Sequence, residues 1–176
     1  MKRIKEIEGQ KKANKDILLD NLPYIIIILI IIIIRAFIAT PIRVNGDSMD
    51  PTLQDGETMI LNKLGMKTAG IKRWDIIVIK TDDSYLIKRV IGLPGESIKY
   101  ENGKLYIAGK EIKDNYSLTK TEDFEETIVG KNEYFVMGDN RFISKDSRKI
   151  GTIDKSEILG KTNIIVFPFN RFGLVK

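Results

Sequence analysis

Tyr85-Leu86-Ile87-Lys88-Arg89-Val90-Ile91 is the stretch of sequence that decides the fold. As an extended strand it places Leu86, Lys88 and Val90 on one face, because successive side chains of a strand point to opposite faces. The lysine therefore shares its face only with aliphatic side chains, and this setting disfavours the ammonium and lowers the pKa of a lysine. A solvated lysine on an edge strand is the alternative, since most strand lysines are of that kind.

The neighbouring stretches predict a mainly β fold of antiparallel sheets or a partial barrel. Trp74-Asp75-Ile76-Ile77-Val78-Ile79 is apolar on both faces, which indicates a central strand. Asn102-Gly103 favours a type I′ turn between two strands. Further strands are expected at Thr58–Asn62, Ser97–Glu101, Lys104–Ala108, Glu133–Met137 and Asn163–Phe169, whereas loops are expected at Lys63–Lys72, Asn115–Lys131 (as a mobile excursion) and Gly138–Arg148. Many short strands with glycine turns are typical of antiparallel architectures.

The N-terminal part of the sequence predicts attachment to a membrane. The segments are a cytoplasmic tail over residues 1–21, a transmembrane anchor over 22–39 and an exported domain over 40–176. These eighteen anchor residues, apolar except for Arg35, extend about 27 Å as a helix, close to a bilayer core of about 30 Å. Basic residues outnumber acidic ones in the tail, which places the N-terminus inside the cell. A cleavable signal peptide is the alternative, but it would put Phe37 or Ile38 at the −3 position, where a small residue is needed.

The composition restricts the chemistry that is open to the chain. Its 176 residues include no histidine and no cysteine. Ser-His-Asp triads, thiol proteases, disulfides and the common Cys/His zinc sites are therefore excluded. The net charge of +5 comes from lysines scattered among acidic residues. Because there is no basic stripe with interleaved aromatic residues, nucleic-acid binding is not expected.

Gly46-Asp47-Ser48-Met49-Asp50-Pro51-Thr52-Leu53 follows the apolar run and places a serine on a constrained bend. Most serines in such surroundings simply form turns. If Ser48 is a nucleophile, its hydroxyl needs a base, which in this chain must be a carboxylate, a tyrosine or a lysine of lowered pKa. Lys88 meets the last requirement, which makes Ser48 and Lys88 the candidate pair.

A polar stretch, Gly138–Arg148, follows a predicted buried strand and combines acids, arginines and hydroxyls. A solvated loop is the alternative. With the two stretches described above, however, it completes a recognisable order of motifs. The chain resembles the type I signal peptidases, which are membrane-anchored serine proteases that remove signal peptides from exported proteins. The resemblance covers Gly46–Leu53, Arg73–Ile79, Lys88–Glu96 and Gly138–Arg148, with the apolar run ahead of them.

The resemblance implies a role for each matching residue. It makes Ser48 the nucleophile and Lys88 the general base of an acyl-enzyme mechanism without a metal or an organic cofactor. Ser144 would orient the lysine amine, and Asp146 with Arg148 would form an ion pair that holds the loop against the strand of Lys88. Asp139 and Arg141 would join this network. Shallow pockets for small residues at −1 and −3 would be lined by Ile42, Val44, Met49, Leu53, Leu86 and Ile87, for each of which core packing is the alternative.

The implied partners are signal peptides of exported preproteins and the lipid bilayer, with the catalytic domain on the outer face of the cell membrane. Gly46 departs from members of the family that have a serine there, whose hydroxyl supplies a second oxyanion donor. Two other functions stay open. A membrane-tethered, non-catalytic β interaction domain would not need an apolar face around Lys88. A Ser-Lys peptidase with another substrate would normally lack the anchor.

Overall fold

The computed structural model describes residues 19–33, 35, 39–82, 84–117 and 119–175, and the chain divides into two units after Ile38. In the first unit, residues 19–33 form a helix, α1, whose apolar side chains are exposed. Within the described residues, no helix combines the length and the hydropathy needed to cross a membrane. Most of the predicted tail, and residues 34 and 36–38 of the predicted anchor, lie outside the described residues.

The described part of the second unit consists of two antiparallel sheets, which confirms the predicted mainly β fold. The larger sheet contains β1 (Ala39–Arg43), β2 (Thr58–Asn62), β3 (Ile76–Lys80), β4 (Tyr85–Gly92), β9 (Glu133–Met137), β10 (Ile153–Asp154), β11 (Ile158–Phe167) and β12 (Gly173–Leu174). Its order is β1-β2-β11-β3-β4-β9-β10, with β12 paired to β11. The smaller sheet contains β5 (Ser97–Glu101), β6 (Lys104–Ile107), β7 (Lys110–Ile112) and β8 (Phe124–Ile128), in the order β7-β6-β5-β8.

The position of β3 confirms the prediction of a central strand. It is buried on both faces and lies between β11 and β4, as expected for a strand of consecutive aliphatic residues. On β4 the two faces differ as the strand period predicts. Lys88 lies opposite Ile77, and Ile79 lies opposite Leu86, so the lysine is surrounded by aliphatic side chains on its own face.

The smaller sheet is an insertion between β4 and β9. The chain leaves the larger sheet at Gly92 and returns to it at Glu133. An apolar core joins the two sheets: Ile91, Phe135 and Met137 of the larger sheet pack with Ile98, Leu105 and Ile107 of the smaller one. The hairpin between β5 and β6 turns at Asn102 and Gly103, with φ of 53° and 73°, which confirms the predicted turn.

Two segments that were expected to be loops contain regular structure. Lys63–Ala69 is a helix, α2. The side chain of Asn62 caps its first turn by accepting the N–H of Gly65, and Gly70, where φ is +67°, caps its end. The polar stretch Asn115–Lys131 contains β8, which pairs with β5. Lys63–Lys72 was expected to be a loop because Gly65 and Gly70 obscure its helical pattern. Asn115–Lys131 was expected to be a loop because its charged residues obscure the strand pattern.

The remaining differences are at the ends of elements. β11 begins at Ile158 instead of Asn163, and it ends before Pro168 as expected. The loop after β9 runs into a short helix, α3, at Ser147–Ile150. Ala39, which was expected to end the anchor, is the first residue of β1, where it lies opposite Asn62 of β2.

Candidate active site

Lys88 and Ser48 lie side by side. The Nζ atom of Lys88 is 2.6 Å from the Oγ atom of Ser48 and donates a second hydrogen bond of 3.0 Å to the carbonyl oxygen of Ile87. Lys88 belongs to β4 and is only 2% exposed, whereas Ser48 lies in the bend after β1 and is half-buried. The strand fixes the lysine, the bend presents the serine, and the hydroxyl is within reach of the amine.

Burial lowers the pKa of Lys88 from 10.5 to about 8, although the negative charges of Asp146 and Asp139 oppose this shift. The cause is physical: an ammonium loses its hydration among the aliphatic side chains of its face. A lysine with a pKa near 8 is partly unprotonated at neutral pH. Its amine can therefore accept a proton from a neighbouring hydroxyl.

The loop of residues 138–148 packs directly against the bend that carries Ser48. The N–H of Asn140 donates to the carbonyl oxygen of Ser48 at 3.1 Å. A Cβ atom on Gly138 would overlap this same carbonyl oxygen and the side chain of Ser144. Glycine is therefore required for the close approach. Sequence analysis did not single out Gly138, although a glycine directly after a buried strand is a recognisable signal of such an approach.

The ion pair of Asp146 and Arg148 closes this loop on itself. The carboxylate accepts hydrogen bonds of 2.9 Å from both Nε and Nη2 of Arg148, and a third of 3.0 Å from the N–H of Gly138. Arg148 Nη2 also donates to the carbonyl oxygen of Arg141 at 2.7 Å. Burial would raise the pKa of Asp146, but the hydrogen bonds from Arg148 and Gly138 outweigh it and hold the pKa below its usual value.

Another ion pair connects the loop to β4, the role that was expected of Asp146 and Arg148. Arg89 donates to Asp139 through Nε at 2.9 Å and through Nη2 at 2.6 Å, and both side chains are buried. Arg89 Nη1 also donates to the carbonyl oxygen of Trp74 at 2.9 Å. Sequence analysis assigned Asp139 to the supporting network but left out Arg89, because the strand period points it away from Lys88.

Ser144 is fully buried within the same loop. Its Oγ makes no hydrogen bond of good geometry within the described chain, although its hydroxyl contributes to holding the pKa of Asp146 below the usual value. The hydrogen bonds of the Lys88 amine go to Ser48 and Ile87. The expectation that Ser144 orients the amine stays a prediction. Its side chain is nevertheless close to the site, since a Cβ atom on Gly138 would overlap both the Ser144 side chain and the carbonyl oxygen of Ser48.

The residues expected to line substrate pockets have different environments. Val44, Met49 and Leu53 are at most 2% exposed and belong to one apolar cluster. Ile42 and Ile87 are partly buried against this cluster, so it lies under both β1 and β4. Leu86 instead packs against the cluster around Ile77 and Ile79. Of the residues predicted to line substrate pockets, Ile42, Ile87 and Leu86 therefore remain partly accessible to solvent.

The position of Gly46 bears on the oxyanion site. Its φ of +83° is a conformation that favours glycine, and its N–H donates to Asp55 Oδ1 at 2.7 Å. That N–H is therefore engaged, whereas the N–H of Ser48 makes no hydrogen bond to another described residue. Of these two N–H groups, the one of Ser48 is therefore available to donate a further hydrogen bond. No cluster of carboxylates in the described chain could hold a metal ion.

The C-terminal part of the chain contacts the other end of the serine bend. Arg171 Nη2 donates to the carbonyl oxygen of Thr52 at 3.0 Å, and Arg171 Nε lies 2.6 Å from the buried carboxylate of Glu57. These contacts tie the short 3-10 helix Phe169–Arg171 to the bend. Sequence analysis missed them because Arg171 and Thr52 lie 119 positions apart.

The chain matches a known protein family. The profile of the family described as "Signal peptidase, peptidase S26" matches residues 19–167. The chain therefore belongs to this family, and it is an enzyme of the type I signal peptidase class.

Individual relatives carry the same designation. Signal peptidase IB of Staphylococcus aureus (strain Mu50) is 39% identical over 165 residues, which cover 81% of this chain and 85% of the relative. Signal peptidase I of Bacillus amyloliquefaciens is 36% identical over 182 residues, which cover 96% and 98%. The crystal structure of a signal peptidase I from Enterococcus faecalis V583 is 31% identical and covers 52% of this chain and 95% of its own, with a TM-score of 0.48.

Proposed function

We propose that this enzyme removes N-terminal signal peptides from exported preproteins, with Ser48 as nucleophile and Lys88 as general base. The observation that carries the proposal is the distance of 2.6 Å between Ser48 Oγ and an amine whose pKa burial lowers to about 8. Lys88 is the one titratable group at hydrogen-bond distance from this hydroxyl among the described residues. A chain without histidine needs another base to activate a serine, and this amine is in place to serve as one.

The proposed reaction proceeds through an acyl-enzyme. The Lys88 amine takes the proton of Ser48 as Oγ attacks the scissile carbonyl carbon, and the N–H of Ser48 donates to the resulting oxyanion. When the tetrahedral intermediate collapses, the C–N bond breaks and the leaving amine takes the proton from Lys88. The unprotonated Lys88 amine then removes a proton from water as the water oxygen attacks the ester carbonyl carbon. When this second tetrahedral intermediate collapses, the C–O bond to Ser48 breaks, Lys88 returns the proton to Ser48 Oγ, and the signal peptide leaves with its new carboxylate.

An extended substrate fits beside two strand segments near the serine. β1 is at the end of the larger sheet, and the pairing of β4 with β9 begins only at Arg89, so residues 85–87 pair with β3 alone among the described strands. A peptide that adds there would receive backbone hydrogen bonds, while side-chain pockets select alternate residues. Ile42, Ile87 and Leu86 are the apolar side chains in place to favour small residues at −1 and −3.

The same proposal includes membrane attachment through the apolar run, with the N-terminus in the cytoplasm and the catalytic unit on the outer face. In support, α1 exposes a continuous apolar series, Ile25–Ile33, in which every residue is at least 43% exposed. Apolar surface of this extent is normally covered by lipid or protein.

The test is cleavage of a peptide with Ala-x-Ala before the scissile bond by the full-length protein in detergent. We expect Ser48→Ala and Lys88→Met each to lower kcat/KM by at least about 10³-fold, because neither partner acts without the other. Lys104→Met is the matched control, since Lys104 is a strand lysine that is 54% exposed and pairs only with Glu111. Full activity of Lys88→Met would refute the proposed base.

A further inference from the structure

The segment of residues 114–117, here called the strap, follows β7 of the smaller sheet and reaches back to the loop of residues 138–148. Asp114 Oδ2 accepts hydrogen bonds of 2.7 Å from both Arg141 Nη1 and the hydroxyl of Tyr100. Its other oxygen, Oδ1, accepts the N–H of Tyr116 at 3.0 Å. The side chains of Arg141 and Asp114 are 0% and 5% exposed. The strap therefore places a buried carboxylate on a buried arginine of the loop.

Arg141 transmits this contact to the residues that touch Ser48. Its Nε donates to the carbonyl oxygen of Gly138 at 2.8 Å, and its own carbonyl oxygen accepts Arg148 Nη2 at 2.7 Å. Gly138 is the residue that lies between the Ser48 carbonyl and the Ser144 side chain. A continuous path of hydrogen bonds and direct contacts thus runs from Asp114 through Arg141 and Gly138 to the bend that carries the nucleophile.

Tyr116 makes a second contact from the same strap. Its ring lies 3.6 Å from the Cζ atom of Arg89, and its centroid is 5.3 Å from that of Trp74. Arg89 is the residue that joins β4 to Asp139 of the loop. Arg141 within the loop and Arg89, which binds the loop from β4, therefore each receive a contact from the strap, from residues two positions apart. A cation over an aromatic ring is favourable, and more so when it is desolvated.

Holding the two sheets together does not require these polar contacts. The apolar cluster that contains Ile91, Ile98 and Phe135 already joins them. A buried ion pair gives little net stability compared with apolar residues of the same size, whereas its geometry is specific. The Asp114–Arg141 pair therefore acts mainly by fixing the position of Arg141, and Arg141 in turn fixes the position of Gly138.

We propose that Asp114 is a positioning residue of this peptidase, which acts through Arg141 to hold the loop of residues 138–148 against the Ser48 bend, with Tyr116 supporting the same loop through Arg89. This inference rests on the proposed function, because it assigns the smaller sheet a part in aligning Ser48 with Lys88. Displacement of reacting groups by about 1 Å can reduce a rate by about 10²-fold.

The test uses the full-length protein in detergent and the Ala-x-Ala peptide, with kcat and KM measured separately and thermal unfolding followed in parallel. We expect Asp114→Asn to lower kcat by about 10- to 100-fold and to change KM by less than about twofold, since the strap does not touch the proposed peptide groove. Glu111→Gln is the control, because Glu111 belongs to an exposed ion pair of the same sheet, with 53% of its side chain exposed. Its kcat should match that of the wild type.

A double variant separates positioning from stability. In Asp114→Asn/Arg141→Met no uncompensated guanidinium stays buried, so we expect the unfolding temperature to recover toward the wild-type value. The kcat should stay low, because the Gly138 carbonyl has lost its donor. Recovery of kcat together with stability, or a wild-type kcat in Asp114→Asn, would overturn the inference and leave the proposed function intact. A wild-type protein that does not cleave the peptide would instead overturn the proposed function.

Discussion

At the Lys88 amine, folding and the proposed catalysis have opposite requirements. The pKa of Lys88 is about 8 in the folded chain, below its ordinary value of 10.5. Below pH 8 the amine is protonated in both states, so burial of the ammonium destabilises the fold by its full amount. Between pH 8 and 10.5 the unfolded chain binds a proton that the folded chain lacks, and this contribution to stability rises with pH. The same destabilisation makes the amine a usable base near neutral pH.

The lowered pKa predicts how the cleavage rate depends on pH. Since the proposed base must be unprotonated, kcat/KM of the full-length enzyme should rise with pH and level off above an inflection near pH 8. The measurement is the initial rate of peptide cleavage at low substrate concentration between pH 5 and pH 10. Thermal unfolding at each pH provides the control for loss of folded protein. A maximum near pH 5 would contradict the prediction, because it would indicate a carboxylate base.

The sequence predicted the proximity of this pair better than the residues that support it. Lys88 could be singled out because the strand period places it among aliphatic neighbours. Ser48 could be paired with it because the chain has no histidine, the usual base for a serine. Asp114 could not be found in this way. It lies 27 positions from Arg141 in a polar segment without periodicity, and only the folded insertion brings the two together.

At the scale of elements, the contact between the loop after β9 and the bend after β1 assembles the site. It is made by the backbone of Gly138 and by the hydrogen bond of Asn140 to the Ser48 carbonyl. Because atoms of the Ser48 backbone take part, the loop cannot adapt to a larger residue by moving a flexible side chain. The loop and the Ser48 bend can therefore lie this close together only because residue 138 is a glycine, which has no side chain.

Gly138→Ala tests this contact. We expect a loss of about 1–3 kcal/mol in the free energy of unfolding and a fall in kcat of about 10²-fold, because the added methyl group must displace the Ser48 bend. Gly130→Ala is the control: its Cβ would meet only the flexible carboxylate end of Glu133. Denaturant unfolding and peptide cleavage measure the two effects. A variant with wild-type activity would show that the bend tolerates the displacement.

The helices and strands that could be predicted from the sequence are those with a clear local pattern of apolar residues. β2, β4, β5 and β9 lie where alternating or continuous apolar residues predicted strands. The helix α2 was missed because Gly65 lies within it, and its stability comes from the Asn62 cap and from contacts with β11. β8 was missed because its charged residues are compatible with a strand only when β5 is there to pair with it.

At the scale of the whole molecule, the boundary between the two units suggests how they can be separated. Residues 39–176 retain β1 in full, including its pairing with β2. We expect this shortened chain to cleave the soluble peptide with a kcat within about tenfold of the full-length value, since the pair and its supports all lie after Ala39. Loss of all peptide cleavage on truncation would show that the first unit is needed for the reaction itself.

The same two proteins test the proposed anchor. When each is produced in bacteria, the full-length chain should stay in the membrane pellet after extraction at alkaline pH with carbonate, as a spanning helix does. The shortened chain should be released, because no apolar run remains in it. Release of both proteins would contradict a membrane-spanning role for residues 22–39.

The insertion of the smaller sheet between Gly92 and Glu133 has a consequence for how such enzymes can diversify. Two neighbouring strands of the larger sheet bound the inserted piece, so evolution can enlarge, shrink or exchange it as a cassette while the parent sheet keeps its register. Under the inference drawn for Asp114, that freedom has one condition. A transplanted cassette has to bring its own counter-ion for Arg141, since chimaeras that lack it would keep an uncompensated buried guanidinium and be both less stable and slow.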